Sequence, residues 1–364
     1  MGYEELRSQL EKYARIPRVS GYEGEAAAVF RTELAAFCDT ARIDRIGNVI
    51  GTISGTDPKA PNLMIFAHMD TIGFLVKYLD PKGFLTLERQ GGIPEKLVQG
   101  TPLLVGSENG NWYPAVLGAR AYQTMSEAER GKVDPLAVLS ADLGFTSAEE
   151  LHEREIEVGC PVAYYPVFFD LGNDRVCGSY LDNAVGMVQL LELAKKLSAD
   201  RPKVTVHLVG TVWEETNAKG AMIAARTAKT DMAVCLLSPG CGDTPDLKGT
   251  SNVVMDGGPC VTVMNFHGKT LDGQVAHKGM FDLMKKSAKE AGIPLQRCIL
   301  RGALSDSAYL QLEGEGIAVL DMGAPYRYAH SPKEMISLRD VADTVTVLER
   351  FVRNIPSDFD LNRF

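Results

Sequence analysis

Two nearly continuous apolar runs each end in ionisable side chains, and this pattern constrains the fold more than any other feature. Residues 62–67 lead directly into His68. Residues 204–212 lead, after one tryptophan, into Glu214 and Glu215. Apolar runs of this length are typical of strands buried on both faces of a sheet, and the ligands of such sheets gather beyond the carboxyl ends of the strands. We therefore expect these side chains to meet at one edge of a sheet.

Helical patterns alternate with the strand patterns along most of the chain. Clear examples cover residues 184–197, 272–291 and 337–354, where apolar positions recur at helical spacing. Alternation of this kind predicts an α/β fold, with a parallel or mixed sheet sandwiched by helices. The chain has 364 residues, more than the roughly 250–300 at which single cores stop growing. Two domains are expected.

Residues 73–169 have a different character from the rest of the sequence. Their short apolar stretches are broken repeatedly by glycine and proline, as at Gly91-Gly92 and Tyr113-Pro114. Such punctuation favours short strands over helices. The sequence therefore predicts a discontinuous α/β domain of residues 1–72 and 170–364, interrupted by a small β-rich domain of residues 73–169.

The charge and cysteine content narrow the classes of partner. A net charge of −9 argues against nucleic acid, because phosphate binding needs a surplus of Lys and Arg. No run approaches the roughly 18 apolar residues of a membrane span, and the first residues lack the pattern of a secretion signal. Seven cysteines without a C-x-x-C pair indicate free thiols in a reducing compartment. We expect a cytoplasmic protein with small or peptide-sized ligands, and with no nucleic-acid or membrane partner.

Several ionisable clusters could carry chemistry, although each is a weak signal by itself. A lone buried histidine is more often a core residue than a ligand, and the Glu214-Glu215 pair could be a solvated turn. Against this, two carboxylates at the end of a buried strand favour a functional role. Imidazole and carboxylate together suit zinc, manganese or cobalt. Of the remaining histidines, His152 and His207 are interpreted as structural, whereas His267 and His277 are ambiguous, with a structural role favoured.

Four motifs occur in a fixed order along the chain: His68-Met69-Asp70, Leu181-Asp182-Asn183, Glu214-Glu215-Thr216 and His330-Ser331-Pro332-Lys333-Glu334. In this order they resemble the metal-site motifs of the tetrahedral aminopeptidase and glutamyl aminopeptidase family of metallopeptidases. The resemblance extends over nearly the whole chain. It implies a zinc-exopeptidase fold with a small inserted domain that takes part in assembly.

The resemblance also implies a ligand set for one or two divalent metal ions. Asp182 would bridge two ions, His68 would bind one of them, and Glu215 and His330 would bind the other. Zinc is the expected metal, with cobalt or manganese as alternatives. The family forms homo-oligomers that range from dimers to dodecamers, so a homo-oligomer is expected here.

Two further roles follow from the same resemblance. Glu214 would be the general base that takes a proton from water and passes it to the leaving amine. Asp70 would hold the ring nitrogen of His68 that does not bind metal. The implied activity is that of a hydrolase, a metallo-aminopeptidase that removes N-terminal residues from short peptides.

One position departs from the family pattern in a way that affects the metal site. The family places a ligand aspartate six residues before an Asp-x-Pro sequence, and here Asp243-Thr244-Pro245 puts Leu237 at that position. Leucine cannot bind a metal, so the ion held by His68 would lack a protein ligand. Smaller departures occur at Thr71, Asn183 and Asn217.

These departures leave an alternative open: a single-metal or non-catalytic relative that binds a peptide or a partner. Substitute ligands for Leu237 would have to come from nearby Cys235, Ser238, Cys241 or Asp243. Hydrolysis of a glycoside is disfavoured, because that reaction normally uses two opposed carboxylates rather than metal and imidazole.

Overall fold

The computed structural model describes residues 2–247 and 249–364, and its elements in these residues are nine α-helices, nineteen strands and three short 3₁₀ helices, Glu95–Leu97, Tyr122–Thr124 and Leu136–Val138. The helices are α1 (Tyr3–Ala14), α2 (Gly24–Leu34), α3 (Ala148–His152), α4 (Leu181–Ala199), α5 (Glu214–Asn217), α6 (Gly220–Ala228), α7 (Lys278–Ala291), α8 (Ser307–Leu310) and α9 (Leu338–Asn354). The strands are β1 (Thr40–Ile43), β2 (Val49–Ile53), β3 (Leu63–His68), β4 (Gly73–Leu79), β5 (Phe84–Gln90), β6 (Pro102–Gly106), β7 (Trp112–Leu117), β8 (Ala141–Asp142), β9 (Pro161–Tyr164), β10 (Phe168–Leu171), β11 (Arg175–Gly178), β12 (Val206–Thr211), β13 (Met232–Leu236), β14 (Cys260–His267), β15 (Asp272–Val275), β16 (Gln296–Arg301), β17 (Ala318–Gly323), β18 (Tyr326–Arg327) and β19 (Glu334–Ser337).

A nine-stranded mixed sheet forms the centre of the molecule. Its order is β1-β2-β12-β3-β13-β17-β14-β15, and β16 pairs with β14. Strands β12, β3, β13 and β17 run parallel, whereas β2 and β14 flank them in antiparallel orientation. All residues of these four parallel strands are buried, as the apolar runs predicted. The predicted mixed α/β sheet is therefore confirmed.

Helices cover both faces of this sheet, because alternate residues of each strand point to opposite faces. Ile65 of β3 belongs to the larger core, which it shares with α1, α2, α4, α7 and α9. Its neighbours Met64 and Phe66 belong to a smaller core beneath α6 and α8. The sheet is thus the middle layer of a three-layer sandwich.

Two smaller sheets complete the structure. Strands β4, β5, β8, β7, β6 and β9, between Gly73 and Tyr164, close into a barrel with its own apolar core. Strands β10, β11, β19 and β18 form a four-stranded sheet. No helix among the described residues is both long enough and apolar enough to cross a membrane.

The prediction of one helix over residues 272–291 was wrong for its first part. Residues 272–275 form β15, which pairs with β14 across a turn, and α7 begins only at Lys278. His277 caps this helix by accepting a hydrogen bond from the amide of Met280. Pairing with a neighbouring strand has overridden the local helical spacing here, which is common where one face of a segment is buried.

Candidate active site

Polar side chains from four segments meet at the carboxyl edge of the parallel strands. His68 is the last residue of β3, and Glu214 and Glu215 open the short helix α5 after β12. Asp182 follows β11 of the four-stranded sheet, and His330 lies in the loop between β18 and β19. All five line one cavity of about 650 Å³. The structure therefore brings these sequence-predicted residues together.

One group of side chains has the spacing of a metal site. The ligand atoms of Asp182, Glu215 and His330 lie within 4.8 Å of one another. His330 Nε2 is 3.8 Å from Asp182 Oδ2 and 3.8 Å from Glu215 Oε2. The other ring nitrogen of His330 lies 2.9 Å from the backbone carbonyl of Gly92, which fixes the direction of the ring.

A second group shares a carboxylate residue with the first. The ligand atoms of His68, Glu214 and Glu215 also lie within 4.8 Å of one another. His68 Nε2 lies 3.1 Å from Asp182 Oδ1, so both histidines of the site approach the same aspartate. Leu237 lines the same cavity and presents a side chain without a ligand atom.

Asp70 lies beside His68 but contacts it through its backbone. His68 Nδ1 is 2.9 Å from the carbonyl oxygen of Asp70 and 3.7 Å from the nearer carboxylate oxygen. The carboxylate instead accepts hydrogen bonds from the backbone amides of Glu214 and Glu215, both at 3.0 Å, and from the hydroxyl of Ser20. Asp70 thus holds the start of α5 as well as the ring of His68.

Two supporting residues had no role in the sequence analysis. Glu334 accepts hydrogen bonds from the backbone amides of Asp182, at 2.8 Å, and His330, at 3.1 Å. The hydroxyl of Tyr326 donates to Asp182 Oδ2 at 2.8 Å. Glu334 belongs to the motif that begins at His330, so its position was visible in the sequence. The contact of Tyr326 depends on the pairing of β18 with β19 and left no local signal.

Asn183, one of the departures from the family pattern, has a defined structural place. Its side-chain amide donates to the carbonyl of Leu236 at 2.7 Å and accepts from the amide of Gly186 at 2.8 Å. An ionised aspartate could only accept hydrogen bonds. Asn183 therefore ties the end of β13 to α4, directly beside Asp182.

The electrostatics of the site are dominated by buried negative charge. Burial raises the pKa of Glu214, and repulsion from Glu215 adds to the effect. Burial likewise raises the pKa of Glu215, with a further contribution from Asp182. Burial opposes ionisation of Asp182 too, but the hydrogen bond and charge of His68, the charge of His330 and the hydrogen bond from Tyr326 together outweigh it and lower the pKa of Asp182 to about 2.

This donor set fits a divalent cation. Two imidazoles and three carboxylates converge on one cavity, and these are the ligand types that zinc and related ions prefer. A bound cation would offset both the burial and the repulsion that raise the pKa values of Glu214 and Glu215. The other ring nitrogen of each histidine, Nδ1, contacts a backbone carbonyl oxygen, which orients the ring as in many metal sites.

Comparison with solved structures places the fold among aminopeptidases. The aminopeptidase APDkam598 of the archaeon Desulfurococcus kamchatkensis is 26% identical and matches 98% of this chain and 97% of its own, with a TM-score of 0.92. The TET1 peptidase of Pyrococcus horikoshii is 26% identical and matches 97% of this chain and 100% of its own, with a TM-score of 0.84. That peptidase assembles into a tetrahedron or a large octahedral shell.

Sequence comparison leads to the same group. The Escherichia coli protein SgcX is 34% identical over 332 residues, which are 91% of this chain and 88% of the relative. The lysyl aminopeptidase of Pyrococcus furiosus is 28% identical and covers 96% of this chain and 98% of its own length. The family profile described as M42 glutamyl aminopeptidase matches residues 47–347. The ordered motifs, the three-layer fold and these matches together show that the chain belongs to the M42 glutamyl aminopeptidase family of hydrolases.

Proposed function

We propose that this protein is a metal-dependent aminopeptidase that hydrolyses N-terminal residues from short peptides. The observation that carries the proposal is the convergence of Asp182, Glu215 and His330 within 4.8 Å, with Glu214 beside them in the same cavity. Family membership supports the aminopeptidase activity. The geometry of the side chains supports the metal dependence.

The ligand set we propose is His68, Asp182, Glu215 and His330, for one or two divalent ions. Zinc suits this set best, and cobalt or manganese are alternatives. When bound, the metal supplies Lewis acidity to a substrate carbonyl and lowers the pKa of water. Asp182 contacts both histidines, which makes it the natural shared ligand if two ions bind.

Glu214 is the proposed general base. Its carboxylate lies within 4.8 Å of ligand atoms of His68 and Glu215, and its backbone amide is held by Asp70. The raised pKa of Glu214 favours a group that can take a proton from water and return it to the leaving amine. The hydrogen bonds from the amides of α5 to Asp70 hold the backbone of Glu214 beside the ligand cluster.

The domain organisation, the oligomeric state and the cellular location of the protein are also part of the proposal. We propose that residues 73–169 form a separate domain that takes part in homo-oligomer assembly, with the closed barrel and its own core as support. The assemblies of the TET1 peptidase are consistent with a homo-oligomer of this chain. A cytoplasmic location is proposed from the free cysteines.

Matched glutamate variants test the proposed roles. We expect Glu214→Gln to lower kcat on aminoacyl amides by about 10²–10⁴-fold while the bound metal is retained. Glu215→Gln should lower both activity and metal content, because it removes a ligand. Glu88→Gln, at an exposed position of the barrel strand β5, is the control and should change neither.

The measurements are metal content per chain after purification without chelator, and hydrolysis of an aminoacyl amide panel with added zinc, manganese or cobalt. Inactivity of the parent across the whole panel, with no metal retained, would refute the proposal. The same outcome would favour the non-catalytic alternative that Leu237 raised.

A further inference from the structure

A second cavity adjoins the candidate active site at one edge of the central sheet. It has a volume of about 870 Å³, and most of its lining comes from residues 249–252 and 297–301. Gly240 and Leu300 line both this cavity and the active-site cavity, and Gly302, which follows β16, lines the active-site cavity. The two cavities therefore meet at the C-terminal end of β16, and the second one is called the edge groove below.

The edge groove follows the free edge of β16. Five consecutive residues of this strand, 297–301, line the groove. A cavity over one face of a strand would contact alternate residues, because successive side chains point to opposite faces. In the part of the chain that the structure describes, β16 pairs only with β14. The groove thus runs along an edge of the sheet that has no second neighbouring strand there.

The backbone of β16 presents hydrogen-bonding groups to this edge. The amides of Gln296 and Gly302 donate to carbonyl oxygens on the β14 side. The peptide groups of successive residues in a strand point to opposite edges, so those of Arg297, Ile299 and Arg301 point away from β14. A row of unpaired N–H and C=O groups is a template for another extended chain. An extended peptide in the edge groove can therefore pair with β16 through its backbone.

Positive charge lies along the same edge. Arg297 and Arg301 are exposed, and they are the only charged residues among the described residues that line the groove. Neither guanidinium lies within 4.0 Å of a carboxylate oxygen of Asp or Glu in the described part of the chain. Four residues separate them, which is about 13 Å along a strand, and both side chains point to the same face. The groove therefore suits an extended chain that carries more than one carboxylate.

We propose that the part of a peptide substrate downstream of the scissile bond binds in the edge groove as an added strand beside β16, with its carboxylates near Arg301 and Arg297. This inference rests on the proposed aminopeptidase function, which places the N-terminal residue of the peptide at the ligand cluster. The preferred substrates are then peptides of several residues with acidic side chains after the N-terminal residue. Backbone pairing supplies affinity for any such chain, and the two arginines select for negative charge.

Equilibrium binding tests the charge preference without any catalysis. The probe is an octapeptide with a free N-terminus, a fluorescent label at its C-terminus and aspartate at its third, fifth and seventh positions. Its anisotropy is measured with the Glu214→Gln variant loaded with zinc. We expect the matched asparagine peptide to bind about three- to tenfold more weakly. Adding Arg297→Gln and Arg301→Gln should remove this difference.

A matched pair of arginines serves as the control. Arg31 and Arg350 are exposed on α2 and α9 and line neither cavity. Adding Arg31→Gln and Arg350→Gln should leave the preference for the aspartate peptide intact. The binding assay does not depend on turnover. Inactivity of the parent on aminoacyl amides would refute the proposed function, whereas equal binding of the two peptides would refute the edge groove as their site.

Methylation of single backbone amides in the peptide tests the added strand. Every second amide of a strand faces its neighbour, so N-methylation should weaken binding about three- to tenfold at alternate positions and change it little at the positions between. The proposal is overturned if the effect does not alternate, or if the aspartate peptide keeps its advantage after Arg297→Gln and Arg301→Gln. Loss of the charge preference alone would mean that the arginines only keep this edge from pairing with other chains.

Discussion

The carboxylate of Asp70 holds the backbone of Glu214 in place: its Oδ1 accepts the amide hydrogen of Glu214 at 3.0 Å, and its Oδ2 accepts that of Glu215 at the same distance. Asp70 is fully buried, whereas Glu214 and Glu215 face the cavity. The preceding residue, Trp213, has a φ of 68°, a conformation that side chains other than glycine rarely adopt. The position of the proposed base thus depends on a residue that does not contact the substrate.

We expect Asp70→Asn to lower kcat by about 10–100-fold, because one acceptor becomes an amide donor that faces a backbone N–H. KM should change much less, since the cavity wall is unaltered. Steady-state kinetics and the circular dichroism spectrum check this expectation. Asp142→Asn removes a comparable contact in the barrel, where Asp142 accepts from Gly144, and should leave kcat unchanged. Full activity of Asp70→Asn would contradict the positioning role.

Leu237 offers a test of the second metal position. It lines the cavity with His68 and Asp182, so Leu237→Asp places a carboxylate beside them. We expect the number of tightly bound zinc ions per chain to increase, with affinity for the added ion at least about tenfold higher than in the parent. Leu237→Asn has the same shape without the charge and should not show this gain. Equal metal content in both variants would show that Leu237 does not limit the second site.

Apolar residues of the cavity wall predict a preference among substrates. Leu300, Leu304 and Tyr309 line the same cavity as the ligand cluster. An apolar wall gains free energy from burying an apolar side chain, whereas burying an unpaired charge costs free energy. We expect kcat/KM for leucyl or methionyl amides to exceed that for glutamyl amides by at least about tenfold. Leu304→Ala should reduce the leucyl value, and Leu312→Ala, whose leucine is 72% exposed outside the cavity, should not.

Gly220 supports the turn that carries the proposed base. A Cβ at this position would lie 2.0 Å from the carbonyl oxygen of Val212, which comes just before that turn. Because backbone cannot move aside as a flexible side chain can, we expect Gly220→Ala to destabilise the fold by about 1–3 kcal/mol and to lower activity. Gly24→Ala is the control, since a Cβ at Gly24 meets no atom within 4 Å. Denaturant unfolding and amide hydrolysis measure both effects.

Buried strands that end in charged residues leave a clear local pattern, which predicted the parallel strands and the meeting of His68 with Glu214 and Glu215, whereas Asp182 and His330 came from the family resemblance. The sequence could not reveal that Tyr326 donates to Asp182, or that Asp321 meets Asn265, because these contacts join segments distant in sequence. The sequence also misassigned residues 272–275 for the same reason. Local spacing reports which face of a segment is apolar, but pairing with β14 decided its conformation.

His207 predicts how the stability of the fold depends on pH. This residue lies in β12, is 9% exposed, and its Nδ1 is 3.0 Å from the hydroxyl of Thr52. Burial lowers the pKa of His207 below 6.5, and the charge of Arg42 adds to the shift. Below pH 6.5 His207 therefore binds a proton more readily in the unfolded chain than in the folded chain. The free energy of unfolding consequently falls as the pH falls. The slope from this one group is at most about 1.4 kcal/mol per pH unit.

The variant His207→Gln tests this dependence. It should reduce the difference in unfolding free energy between pH 7 and pH 5, measured by urea denaturation. If the unfolding free energy of His207→Gln changes with pH as much as that of the parent, His207 is not the group responsible.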